Sequence, residues 1–203
     1  MRITARNISF SPWQKSSSLV WALGFALLLV GLQFLPDELH RKLWYARDAV
    51  ANGEYWRLLT GNLVHLGWRH LALNVGALLI GIWVFYPART PVAWVFAQLV
   101  CSLASTLGLY LFSPEILWCV GMSGALHGLL IIGAIDWIRQ GDRFGWVLLL
   151  IWIAKLGWEQ LNGAVPLSAE TIGAPVVTDA HLWGAVGGFL FVGGESAVRK
   201  LRA

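Results

Sequence analysis

Charged residues are scarce in this chain. They make up 13% of its 203 residues, against about 25% in soluble domains. With 57% hydrophobic residues and a mean hydropathy of +0.63, the deficit excludes an ordinary soluble protein and specifies a membrane protein. Cysteine is nearly absent too. Cys101 and Cys119 have no metal-ligand spacing and form no disulfide framework. Both read as buried structural thiols, although Cys119 stands four residues before Ser123. No alternation of strand and helix patterns is visible, which excludes a soluble α/β-hydrolase. The small basic excess, +4 with a pI near 9.4, is no argument for nucleic acid. Basic residues in a membrane protein chiefly mark the loops that face the cytoplasm.

What is abundant agrees. Thirteen Trp and 22 Gly suit bilayer interfaces and close helix contacts. Apolar runs predict six spans at about 18–35, 68–86, 92–112, 119–138, 144–159 and 180–194, each near the length that crosses a core of about 30 Å. The expected fold is an all-α polytopic membrane protein, one domain over 1–203. The first run is too long for a signal peptide and no Ala-x-Ala pattern follows it, so it reads as a retained span. Arg2, Arg6 and Lys15, then Arg89, Arg139, Arg143, and finally Arg199, Lys200 and Arg202 fall on one side if both termini are cytoplasmic. Ser123 and His181 then lie near the outward beginnings of the fourth and sixth spans. Residues 36–63 mix acids and bases with Leu, Trp and Tyr, a pattern of short amphipathic helices at the membrane surface. There Trp56 and Arg57 are suited to anchoring a loop at the headgroups.

Four of the five histidines fall in three stretches, His65 to Asn74, Val120 to Gly128 and Ala180 to Gly188. Polar groups inside spans are costly and mark function. His70 and Asn74 are four apart, as are Ser123 and His127, so each pair shares a helix face. Gly124 with Gly128, and Gly184 with Gly188, form small-x-x-x-small ridges that let the fourth and sixth helices approach at near backbone contact. That approach brings the His181 imidazole within reach of the Ser123 hydroxyl, giving a serine with a base. His70, Asn74 and the Ser123 backbone N–H are candidate donors to an oxyanion.

These motifs resemble the rhomboid intramembrane serine proteases. The match comprises His65-x4-His70-x3-Asn74, Gly121-x-Ser123-Gly124, Ala180-His181-x2-Gly184-x3-Gly188 and Glu54-x-Trp56-Arg57, in the family's order. The resemblance implies a six-helix rhomboid-like bundle and a Ser123–His181 dyad. It gives His70 and Asn74 to the oxyanion hole and makes His65 structural. Many rhomboids carry tyrosine four residues after the serine; this chain has His127. With Lys155-Leu156-Gly157-Trp158-Glu159-Gln160, that departure resembles the rhombosortase branch. Such a resemblance implies single-span membrane substrates with a Gly-Gly C-terminal tail, in a bacterial inner membrane, with no cofactor and no nucleic acid. It leaves open whether His127 packs on His181 or orients its tautomer.

Two other classes compete. A haem or metal protein would use the histidines as ligands, but His65 and His70 are poorly spaced for one helix face and no carboxylate is expected beside them. A rhomboid-like module that binds spans without cutting them is disfavoured by the presence of both Ser123 and His181.

Overall fold

The computed structural model describes residues 12–85, 88–166 and 168–201, with side chains from residue 17 onward. The basic residues Arg2, Arg6 and Arg202, the Lys15 side chain and the expected span end at Tyr86 lie outside it. The described chain is mostly helical: α1 (Pro12–Leu32), α2 (Asp37–Lys42), β1 (Tyr45–Ala46), α3 (Arg47–Ala51), α4 (Arg57–Thr60), α5 (Trp68–Phe85), α6 (Pro91–Phe112), β2 (Trp118–Cys119), α7 (Ser123–Arg139), α8 (Phe144–Asn162), α9 (Ser168–Ile172) and α10 (Thr178–Leu201). Among the described helices, α5, α6 and α8 are long and apolar enough to cross a membrane.

Helix boundaries differ from the hydropathy runs in instructive ways. The fourth helix begins at Ser123, not at 119, because Trp118 and Cys119 are spent on an antiparallel pairing with β1, Tyr45 opposite Cys119. Gly121 then turns the chain at a φ of 102°, a value that L side chains rarely adopt. The fifth helix runs three residues beyond 159 to Asn162, and the sixth extends from Thr178 to Leu201. The first ends at Leu32, short of 35. Sliding polarity cannot see these limits; backbone hydrogen bonding sets them. At α6 the start signal is local, since the Thr90 hydroxyl accepts from the Ala93 N–H at 3.3 Å with Pro91 at the first helical position.

The polar stretch after α1 folds into α2, β1, α3 and α4 and is stitched to the segment before α7. The Arg47 N–H donates to Leu117 O at 2.8 Å and the Gly121 N–H to Gly61 O at 2.9 Å. The Arg47 guanidinium donates to Leu109 O at 2.6 Å, Ser113 O at 2.9 Å and Tyr110 O at 3.0 Å. It thereby caps the carbonyls that end α6. Arg57 is buried rather than solvated, bonding Glu54 at 2.6 Å and the carbonyls of Trp44 and Arg41 at 2.9 and 3.0 Å. Trp56 stays half exposed and donates to Lys42 O at 3.4 Å.

Helix α7 sits at the centre, packed by α5, α6, α8 and α10, and its tightest seam is with α10. A Cβ on Gly184 would collide with the backbone of Gly124; one on Gly188 or Gly128 would strike the facing backbone as well. Farther along, the Arg89 side chain is 5% exposed and grips Asp136 of α7 and Glu195 of α10, each with a contact of 2.6 Å. This arginine is therefore part of the interior, not a free loop charge.

The seam predicts an asymmetry between glycines of one helix. Gly184→Ala should lower stability in thermal unfolding by about 1–3 kcal/mol, the usual cost of overpacking. Gly193 has open space where a Cβ would stand, so Gly193→Ala should be neutral or gain up to about 1 kcal/mol of helix propensity. Equal melting temperatures for the two variants would refute the backbone contact.

Candidate active site

Ser123 is the first residue of α7, a position whose N–H lacks an intrahelical partner and where the helix dipole favours negative charge. Two devices place it there. The Gly121 turn, zipped to Gly61, delivers the chain to the helix; Gly124 then presses α7 against Ala180 and Ser105, and the Ser105 hydroxyl donates to Ala180 O at 3.0 Å. Because α10 is held so close, His181 points its Nε2 at Ser123 Oγ, 3.0 Å away.

The other ring nitrogen of His181 lies 2.9 Å from Glu159 Oε2. A carboxylate only accepts, so Nδ1 carries the proton and Nε2 presents a lone pair to the serine. Glu159 is 3% exposed, and its other oxygen accepts from Lys155 Nζ at 2.6 Å. Lys155 also donates to His127 Nε2 at 2.9 Å. His127 Nδ1 returns to Ser123 O at 2.7 Å, and the His127 ring stacks on His181 with centroids 4.1 Å apart. The polar groups close a circuit that starts and ends on Ser123.

These residues line a cavity of about 270 Å³, together with His70, Asn74, Trp118, Val120 and Trp152. Asn74 Nδ2 donates to His70 O at 2.9 Å. The His70 ring lies where a side chain on Gly121 would have to go. His65 is fully buried behind it, the two rings edge to face at 5.0 Å. Trp56 and Arg57 do not line the cavity; they belong to the stitched loop. Cys119 lines one wall, and burial pushes its thiol up to about 12, so it is protonated and inert. Both cysteines are free.

Two members of the circuit were not legible as site residues. Glu159 and Lys155 are one turn apart on α8, at the end of the apolar run over 144–159, and polarity alone marks them only as the close of that span. The i, i+4 spacing of a base and an acid inside an apolar helix was the available signal. The expectation that no carboxylate joins the histidines is thereby corrected. His127, Glu159 and His181 each offer a ligand atom within 4.8 Å of one another. The Lys155 ammonium bonds two of the three, so the protein's own cation already serves this group.

His65 gives the loop a pH signature. Burial, with His70 and His40 nearby, lowers its pKa to about 3. The unfolded chain takes up a proton near pH 6.5 while the folded chain does not, so stability is lost as pH falls from about 6.5 toward 3, by at most about 1.4 kcal/mol per pH unit. His65→Leu should make that acid slope shallower in denaturation measured across this range. An unchanged slope would show that His65 is not held neutral.

Comparison with known proteins bears on this geometry. The Rhomboid domain family profile matches residues 52–195. Rhomboid-like protease 5 of Toxoplasma gondii is 30% identical over 163 residues, 74% of this chain and 17% of that protein. YdcA of Bacillus subtilis (strain 168) is 30% identical over 147 residues, 70% of this chain and 67% of its own length. Rhomboid protease GluP of the same organism is 31% identical over 150 residues, 69% of this chain and 26% of its own. The chain thus spans only a minor part of two of these relatives.

Proposed function

Since the chain belongs to the rhomboid family, an integral membrane family with protease members, we propose that it is an intramembrane serine endopeptidase. In this reading Ser123 is the nucleophile and His181 the base. The observation that carries it is the 3.0 Å contact from Ser123 Oγ to the lone-pair nitrogen of His181, at the wall of an apolar cavity and held by a glycine seam.

The chemistry follows from the proton positions. The Ser123 hydroxyl passes its proton to His181 Nε2 as Oγ bonds the scissile carbonyl carbon. The resulting oxyanion is met by the Ser123 N–H at the start of α7, by His70 and by Asn74, whose amide keeps a second N–H besides the one given to His70 O. The imidazolium then returns the proton to the leaving nitrogen as the C–N bond breaks. Water, deprotonated by His181, releases the acyl group and restores Ser123. His65 backs His70, and Gly121 keeps the space that the His70 ring occupies.

We further propose a single six-helix domain, with α1, α5, α6, α7, α8 and α10 as spans, both termini cytoplasmic and the site opening outward at a bacterial inner membrane. The 17 residues of α7 rise about 25 Å, less than the hydrocarbon core, which suits a first residue sunk below the surface. Lipid contacts the apolar outer faces of α5, α6 and α8. The substrate is a single-span membrane protein carrying a Gly-Gly C-terminal tail. That assignment to the rhombosortase branch is supported by His127 stacked on His181 where many rhomboids have tyrosine.

The test is co-expression with Gly-Gly-tailed candidates, reading the new C-terminus by mass spectrometry. Ser123→Ala and His181→Ala should each abolish cleavage with insertion intact. Cleavage by Ser123→Ala above a few per cent of wild type would refute the serine mechanism, and binding without any cleavage would identify a non-catalytic module. Asn74→Ala should lower kcat by about 10²-fold or less, the low end for one lost oxyanion donor. A change confined to KM would make Asn74 a substrate contact instead.

A further inference from the structure

The rhomboid reading assigns the chemistry to two residues. The structure points to a third and a fourth: we infer that Glu159 is a positioning residue that fixes the His181 tautomer, with the partly buried Lys155 as the counter-ion that holds Glu159 in place. The inference rests on Ser123 and His181 being the reacting pair.

The geometry carries it. Glu159 is 3% exposed and the His181 side chain 6%, so neighbouring protein groups, more than bulk solvent, set which nitrogen holds the proton. The carboxylate divides its oxygens, Oε2 to His181 Nδ1 at 2.9 Å and Oε1 to Lys155 Nζ at 2.6 Å. A base that must take the serine proton on Nε2 needs its own proton on Nδ1, and an anion at Nδ1 both enforces that and stabilises the imidazolium formed during reaction. An isolated carboxylate at this depth is too costly to keep charged. Lys155 supplies the opposite charge from the same helix face, and His127 takes up another Lys155 N–H. His127 thereby stacks on His181 and holds the lysine, leaving the orienting contact at Nδ1 to Glu159.

The groups facing His181 are Glu159 and Lys155 from α8, His127 and Ser123 from α7, and His70 from α5; on α10 itself Asp179 is occupied by the Ser113 hydroxyl. Only one of those around the ring, Glu159, is an anion. Its negative charge favours the imidazolium. Removing it must therefore move the acidic limb of the pH–rate profile, which rises as His181 loses its proton, to lower pH.

Glu159→Gln tests this with little change of shape. Lys155 still donates to the amide oxygen, so the amide NH₂ faces Nδ1 and drives the His181 proton onto Nε2, the wrong nitrogen. The expected loss in kcat is on the order of 10²–10⁴-fold, with KM little changed and the acidic limb at lower pH. Adding Lys155→Met frees the amide to turn its oxygen to Nδ1, and the double variant should recover much of that loss. A packing role predicts the reverse, a double variant worse than the single. Wild-type turnover by Glu159→Gln, or a loss with an unmoved acidic limb and no recovery, would overturn the inference. Fluorophosphonate labelling keeps the two proposals apart. A wild-type protein that is not labelled at Ser123 refutes the serine-protease reading, whereas labelled wild type with an indifferent Glu159→Gln refutes the role of Glu159 alone.

Discussion

The approach of Ser123 and His181 depends on two backbones touching. α7 and α10 meet through Gly124, Gly128, Gly184 and Gly188 with no side chain between them. In a bilayer the hydrophobic effect does not drive helices together, so contact of this kind relies on close van der Waals packing. The seam also converts a packing preference into a distance. Ser123 and His181 belong to different helices, 58 residues apart in sequence, and their separation is set by glycines one residue away on α7 and three residues away on α10.

Beside that contact the charged and reacting groups are paired, whereas both ring nitrogens of the buried His65 have no hydrogen-bond partner. The ring from Ser123 through His181, Glu159, Lys155 and His127 gives each titratable side chain a partner on two sides, in surroundings where an unpaired one would be costly. A second pairing, Arg89 with Asp136 and Glu195, lies farther along the same two helices. Sharing a seam and a clamp, α7 and α10 are fastened at both ends. Buried ion pairs seldom add net stability over apolar packing, yet breaking one by removing a partner is strongly destabilising. Both clusters therefore act more as constraints on arrangement than as sources of stability.

How much of this was legible can be traced residue by residue. The glycine ridges, the Ser123–His181 approach and the placing of His70 and Asn74 on one face all follow from helical periodicity, which is local and short-ranged. The short helices of the polar first loop were readable for the same reason. Glu159 was missed because hydropathy ends a span at its first acid, whereas the backbone continues as helix to Asn162 and carries that acid inward. The start of α7 was missed because Trp118 and Cys119 are apolar enough for a span, and only a partner strand 73 residues earlier, read from Tyr45 and Ala46, withdraws them from it. Arg89 was counted as a loop charge because its two acids lie on helices that sequence alone does not bring to it. What escaped at α7 and at Arg89 was a pairing between distant segments.

Arg89 also meets two different environments during the life of the chain. Asp136 follows it by 47 residues and Glu195 by 106, so when the hairpin of α5 and α6 is first made, the arginine has neither partner. In the orientation proposed here it is then an exposed positive charge in a short cytoplasmic loop, the kind that fixes which way a helical pair inserts. Once α7 and α10 are in place the same charge is withdrawn from the loop and neutralised between them. In that proposed orientation a single guanidinium acts first as a topological marker and later as an internal fastener, the order following from the direction of synthesis.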